Sequence, residues 1–290
     1  MTLCGDVGGG YGGGSGDPIG KPIIEKLIGV DAEDYKEYSI IVECQDFECV
    51  CRGLQGKIRG KFECSLPNGK YLRKAIRKEY RTLTDDERIR FHNAVNQLKF
   101  SKIYDYFHAL HYHHSYGGGA HGGPAFVVWH REFTKRFELS LREIDPSIAL
   151  PYWDSTMDQI LPDPKDSIMW TADFMGSVDK RGKLNSGPFE KWITLEVINK
   201  MANSDSQIHK EDGNAMIRRK LGSNFGNTLI QDFNLTTILT NHSIYLIFGD
   251  GEVRDGGVMK CNDSINWHGS QDGTSILIYY MNMNHVPPVM

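Results

Sequence analysis

Long hydrophobic runs are missing from this chain. No stretch reaches the roughly eighteen apolar residues that a membrane-crossing helix needs, so no membrane span is expected. The opening, Met1 to Pro18, lacks the apolar core of a secretory leader, so no signal peptide is visible. Strong charge of one sign is also missing. A net charge of -4 over 290 residues gives no reason to expect a nucleic acid or an anionic membrane as partner. The glycine-rich GGGYGGGSG is followed by no Gly-Lys-Ser/Thr and preceded by no strand, which argues against a phosphate loop. Strand signals are few before Ile276 to Tyr280, and no internal repeat occurs. What remains is an ordinary globular composition, 40% hydrophobic and 24% charged, in a chain long enough for one large domain with a substantial core.

Six cysteines stand at 4, 44, 49, 51, 64 and 261. The C-x4-C-x-C-x12-C spacing of the middle four lacks the paired C-x2-C ligands of a zinc knuckle. Disulfides are therefore expected, with reduced cytosolic thiols as the alternative. Sequons at Asn234, Asn241 and Asn262 add weak support for a secretory route. Residues 1–35 read as a flexible Gly-rich tail, 36–66 as a Cys-rich lead-in, and 67–290 as the main domain.

Thr84-Asp85-Asp86-Glu87 is a capping box, and Ile89, Phe91, Ala94, Val95 and Leu98 follow at helical spacing, predicting a helix over about 85–99. His92 on it reads as a solvated or core-edge histidine. A second helix is expected over 102–114, where Ile103, Phe107 and Leu110 give an apolar stripe with His111 on an adjoining face. Gly117-Gly118-Gly119 ends it. A third is expected over about 126–143, with Trp129, Phe133, Phe137 and Leu141 recurring every four residues as a buried stripe. Asp145-Pro146 stops it, because the residue before proline avoids the helical region. The segments around Pro151 to Asp154 and Leu161 to Pro164 read as ordered loop. The fold class is mainly α, a helical core with long loops and few short strands.

Three imidazoles, His111, His121 and His130, lie ten and nine residues apart. Imidazole suits copper and zinc, and each such ligand wants its second nitrogen held by an acceptor, for which backbone carbonyls and Asp154 are candidates. His113 and His114 read as exposed or supporting positions.

The segment His121 to Phe133, HGGPAFVVWHREF, resembles the first copper-binding segment of tyrosinases, and DPSIALPYWDST resembles the stretch that accompanies it. The wording there and in LPNGKYLRKAIRKEYRTLTDDER is similar to invertebrate, and in particular nematode, members. The resemblance implies a tyrosinase-like four-helix core with two coppers, each held by three histidines, acting on phenols or diphenols with dioxygen. By position, His111, His121 and His130 would hold the first copper, and Arg131, Glu138, Trp153 and Asp154 match supporting residues. Gly119 stands where some relatives carry a cross-linked cysteine, so no thioether is expected.

The second half-site departs from that pattern. Asn241 and Tyr245 stand where two ligands belong, and Asp272 to Tyr280 lacks the closing histidines. His242 and His268 are weak candidates for a second ion. The expected cofactor is copper, two ions if this site forms and otherwise one. The expected function is a tyrosinase-type oxidoreductase that makes quinones. The alternative is a divergent non-catalytic protein or a truncated gene model, binding at most one copper in a structural or binding role. Oxygen carriage would need both coppers as well. Zinc hydrolysis with Glu138 as base lacks the H-E-x-x-H motif.

Overall fold

A computed structural model of the chain describes residues 40–116, 126–193, 216–219, 229 and 236. The Gly-rich tail, the Asn241 and Asn262 sequons, the Ile276 to Tyr280 strand signal, His121, His242 and His268 lie outside these residues. Three long helices dominate what is described, beside a single two-stranded ribbon. Helix α1 is Phe47–Gly53, β1 is Lys57–Gly60, β2 is Glu63–Ser65, α2 is Asp85–Phe100, α3 is Ile103–Tyr116, α4 is Phe126–Ile144 and α5 is Thr156–Gln159.

The lead-in is held by disulfides, as expected from the cysteine spacing: Cys44–Cys49 and Cys51–Cys64. Cys51 and Cys64 are fully buried with Leu66 and Leu72, against Phe47, Val50 and Leu54. Strands β1 and β2 pair antiparallel, with Lys57 opposite Ser65 and Ile58 opposite Cys64. Ser65 in turn pairs with Tyr71, and the Leu72 N–H donates to the Cys64 carbonyl, so residues 70–72 add a third run to a small meander. Gly56 has to be glycine, because a Cβ there would collide with Cys64 Sγ and stand 2.9 Å from Cys51 Sγ.

Helix α2 starts at the anticipated capping box. Thr84 Oγ1 accepts from the Glu87 N–H at 3.2 Å, and Glu87 accepts from the Thr84 N–H at 3.0 Å. Phe91, Ala94, Val95 and Leu98 are buried, whereas Ile89 is 57% exposed. Ile89 stands two residues before Phe91, about 200° around a helix, so it faces away from the buried stripe. His92 takes a place at the edge of the core instead. Its Nε2 shares a hydrogen bond with the Tyr80 hydroxyl, and burial holds that phenol far above its ordinary range, so it stays protonated.

Helix α2 packs on both α3 and α4. The corner between α2 and α3 is tight. Lys102 takes φ +71, a left-handed conformation unusual for a residue with a Cβ. That corner folds Lys99 back on Asp105, whose carboxylate is fully buried and accepts from Lys99 Nζ at 2.5 Å. Of the four-residue series, Phe133, Phe137 and Leu141 of α4 are buried as expected, each contributing about 1.5–3 kcal/mol on burial, whereas Trp129 is half-buried. The helix ends at Ile144, before Asp145-Pro146.

Beyond α4 the chain runs back alongside residues 78–80. The Tyr80 N–H donates to the Tyr152 carbonyl at 2.7 Å, and the Tyr152 N–H to the Lys78 carbonyl at 2.9 Å. Asp158 on α5 then gathers three donors: Trp153 Nε1 at 2.5 Å, Ser167 Oγ at 2.7 Å and Arg81 at 2.8 Å. No described helix is long and apolar enough to cross a membrane.

Candidate metal centre

Helices α3 and α4 meet through an antiparallel ladder of rings. Tyr104 packs edge-on to Phe137 at 5.9 Å between centroids. One turn along, Phe107 meets Phe137 at 5.4 Å and Phe133 at 5.5 Å. One turn further, His111 meets Phe133 at 5.7 Å and His130 at 5.4 Å. The ladder follows from helical repeat: 104, 107 and 111 on α3 and 137, 133 and 130 on α4 each advance by three or four residues, so each set lines one face.

The last rung brings His111 Nε2 to 3.3 Å from His130 Nε2. That separation suits a shared cation. Two imidazole nitrogens each about 2.0 Å from one ion stand about 3.3 Å apart when the angle between them is near tetrahedral. His130 is buried and His111 half-buried. Trp129 stacks on Phe133 at 4.7 Å and leans on His111 at 5.8 Å and on His114 at 5.6 Å, walling the pair on one side. The donor set is nitrogen-based and partly shielded from water, which fits copper or zinc. Among the described residues no group of three or more metal-ligating side chains forms, and His121, the third histidine of the sequence pattern, is not one of those residues.

The neighbouring histidines divide. His114 is half-buried, with its ring 5.6 Å from that of Trp129. His108 is half-buried with its Nδ1 enclosed and unpaired, and burial, then the nearby Lys99 charge, lower its pKa to about 4. Among the described residues, no histidine bonds the Asp154 carboxylate. It accepts from the Thr156 N–H at 3.2 Å and hydroxyl at 2.6 Å, closing the turn into α5. Arg131 lies exposed on α4. Glu138 accepts from Arg77 at 2.8 and 3.3 Å and from the Leu150 N–H at 3.0 Å. Trp153 is fully buried and bonded to Asp158.

Sequence reading missed the groups that fix this frame from a distance: Lys99, Asp105, Arg77, Arg81 and Asp158. Asp105 carried a signal, as an acid inside an apolar helical stripe. The others carried none.

Comparison with known proteins gives one consistent answer. A family model described as the common central domain of tyrosinase matches residues 101–259. A tyrosinase-like protein of Caenorhabditis elegans is 49% identical over 158 residues, covering 54% of this chain and 22% of that protein. The tyrosinase of Streptomyces glaucescens is 35% identical over 156 residues, covering 51% of this chain and 52% of its own length. The chain thus spans about half, or less, of these relatives. Among solved structures, a polyphenol oxidase from Thermothelomyces thermophila superposes with a TM-score of 0.53 at 16% identity, over 73% of this chain and 68% of that one, which speaks to the fold. The helical ladder, its facing histidines and a family match across more than half of its length lead to one conclusion: this chain belongs to the tyrosinase family.

Proposed function

We propose that this chain is a copper oxidoreductase that oxidises phenols or diphenols to quinones with dioxygen. In this reading His111, His121 and His130 hold the first copper. The observation that carries it is the 3.3 Å approach of His111 Nε2 and His130 Nε2 inside the segment matched by the family model. Bound copper would supply the centre that accepts electrons from the phenol and passes them to dioxygen. The chain's own residues position and shield that centre. The ring ladder fixes the two helices in register, and Trp129 and Phe133 limit water on one side. A second ion would draw on the C-terminal part, where His242 and His268 are the candidates. The two disulfides suit an oxidising compartment, and a secretory route is part of the proposal.

The test is copper content per folded chain after reconstitution, followed by diphenol oxidation. The proposal expects two coppers and quinone formation. It also expects His130→Ala to lose the first copper and the oxidation while keeping the helical circular dichroism. One copper without oxidation would support the non-catalytic alternative suggested by Asn241 and Tyr245. No copper would reject both metal readings.

A further inference from the structure

The net charge of -4 conceals a local inversion. Ten of the chain's 33 basic residues and only two of its 37 acidic ones fall within 52–81. Four of these bases are committed: Arg52 to Glu48, Arg77 to Glu138, Lys78 to Glu87, and Arg81 to Glu79 and Asp158. The other six, Lys57, Arg59, Lys61, Lys70, Arg73 and Lys74, are exposed and have no acidic partner among the described residues.

The meander arranges them. Lys57, Ser65 and Tyr71 form one cross-strand row. Cys64 and Leu72, one residue along, point to the other face and are buried. Successive side chains alternate between faces, so the row of Lys57 and Tyr71 looks outward and Arg73 returns to it. The Arg73 guanidinium lies 5.8 Å from the Tyr71 ring centroid. Arg59 sits at the irregularity between Ile58 and Gly60. Lys61, Lys70 and Lys74 flank the face, and Glu63 is the meander's own acid. Neighbouring strands are about 5 Å apart and successive outward residues on one strand about 7 Å apart, so the cations stand close enough together to meet a polymer with closely spaced fixed charges.

We propose that this outer face docks an acidic polysaccharide carrying sulfate or carboxylate groups. Arginine forks bind such groups in a bidentate way, and an exposed tyrosine offers a flat face for a sugar ring. The disulfides beneath the face belong to an oxidising compartment, which disfavours nucleic acid as the occupant. An anionic membrane fits less well. The exposed Phe62 lies at the turn beneath Lys61 Nζ, with its ring 5.9 Å from Phe47, and Ile58 belongs to the opposite row, so these apolar side chains stand at the edge of the cationic face rather than on it.

The experiment uses the full chain and heparin as probe. Affinity is measured by calorimetry across a salt series, with phosphatidylserine vesicles and neutral dextran in parallel. The unaltered protein is expected to bind heparin and neither of the others. The triple variant Lys57→Ser, Arg59→Ser, Arg73→Ser should lose about tenfold or more in affinity, with a shallower dependence of log K on log salt, because each lost cation releases about one counterion fewer. A control pair, Lys180→Ser with Lys191→Ser, should change neither. Unchanged melting temperatures verify that the variants fold. Absent heparin binding, equal binding by the triple variant, or binding to the vesicles alone would overturn the proposal.

Discussion

Arg77 clasps Glu138 through two nitrogens, at 2.8 and 3.3 Å, while the same carboxylate accepts the Leu150 N–H at 3.0 Å. One side chain of α4 thereby ties down both the segment before α2 and the loop after α4. Glu138→Leu would leave a partly buried guanidinium and a buried N–H without their acceptor. The expected loss is about 3 kcal/mol. Glu138→Gln keeps an acceptor oxygen and should cost about 1 kcal/mol. Urea unfolding followed by tryptophan fluorescence would rank the two variants, and equal losses would show that the acceptor geometry is not what matters.

The Lys99–Asp105 pair makes a second prediction. Burial lowers the Lys99 pKa and the Asp105 charge offsets that effect in part. Lys99→Met would leave the buried carboxylate with only the longer Lys102 contact, at 3.9 Å, and should cost about 3 kcal/mol. Adding Asp105→Leu should recover most of that loss, because the poorly compensated buried charge is then gone. Since Asp105 opens the helix that carries His111, copper retention should fall in the single variant and return in the double.

His92 makes stability depend on pH. Burial first, then the Arg88 charge, lowers its pKa from 6.5 to about 4. The unfolded chain binds a proton as pH falls below 6.5, while the folded chain resists until about 4. The contribution of neutral His92 is therefore complete above 6.5, is lost progressively down to about 4, and levels off below. The full swing is about 3 kcal/mol at most. Denaturation curves at several pH values in this window should show a shallower fall for His92→Gln than for the unaltered protein. Parallel curves would assign the dependence to other groups.

The disulfides predict a local effect. Cys51–Cys64 spans 13 residues, and a loop of that size is worth about 3 kcal/mol to the segment it closes. Paired Cys51→Ser and Cys64→Ser changes should loosen the meander and raise its proteolysis rate. The helical circular dichroism and its melting temperature should change little, because neither bridge reaches α2, α3 or α4.

What could be read from the sequence follows the range of the interaction. The capping box at Thr84, the stripe of Phe133, Phe137 and Leu141, and the stop at Asp145-Pro146 depend on neighbours within a turn or two, and all are seen. Ile89 was misplaced because an apolar residue near a stripe is not thereby on it, and its angular position decides. The presence of disulfides was legible from spacing, but their pairing was not. Asp158 with Arg81 and Glu138 with Arg77 join residues 77 and 61 positions apart, and nothing local marks which acid meets which base. Of the candidate site, His111 and His130 are brought together, and His121, His242 and His268 lie outside the described residues.

The ring ladder behaves like a pair of meshed gears. One residue inserted between His130 and Phe133 would turn His130 about 100° around the α4 axis while Phe133 and Phe137 stayed engaged. The imidazole would then face away from His111, with every residue type still in place. Three or four inserted residues would bring it back near its original phase, displaced by roughly one helical pitch. The distance along the chain from histidine to phenylalanine is thus a component of the site in its own right, as exacting as the chemistry of either side chain.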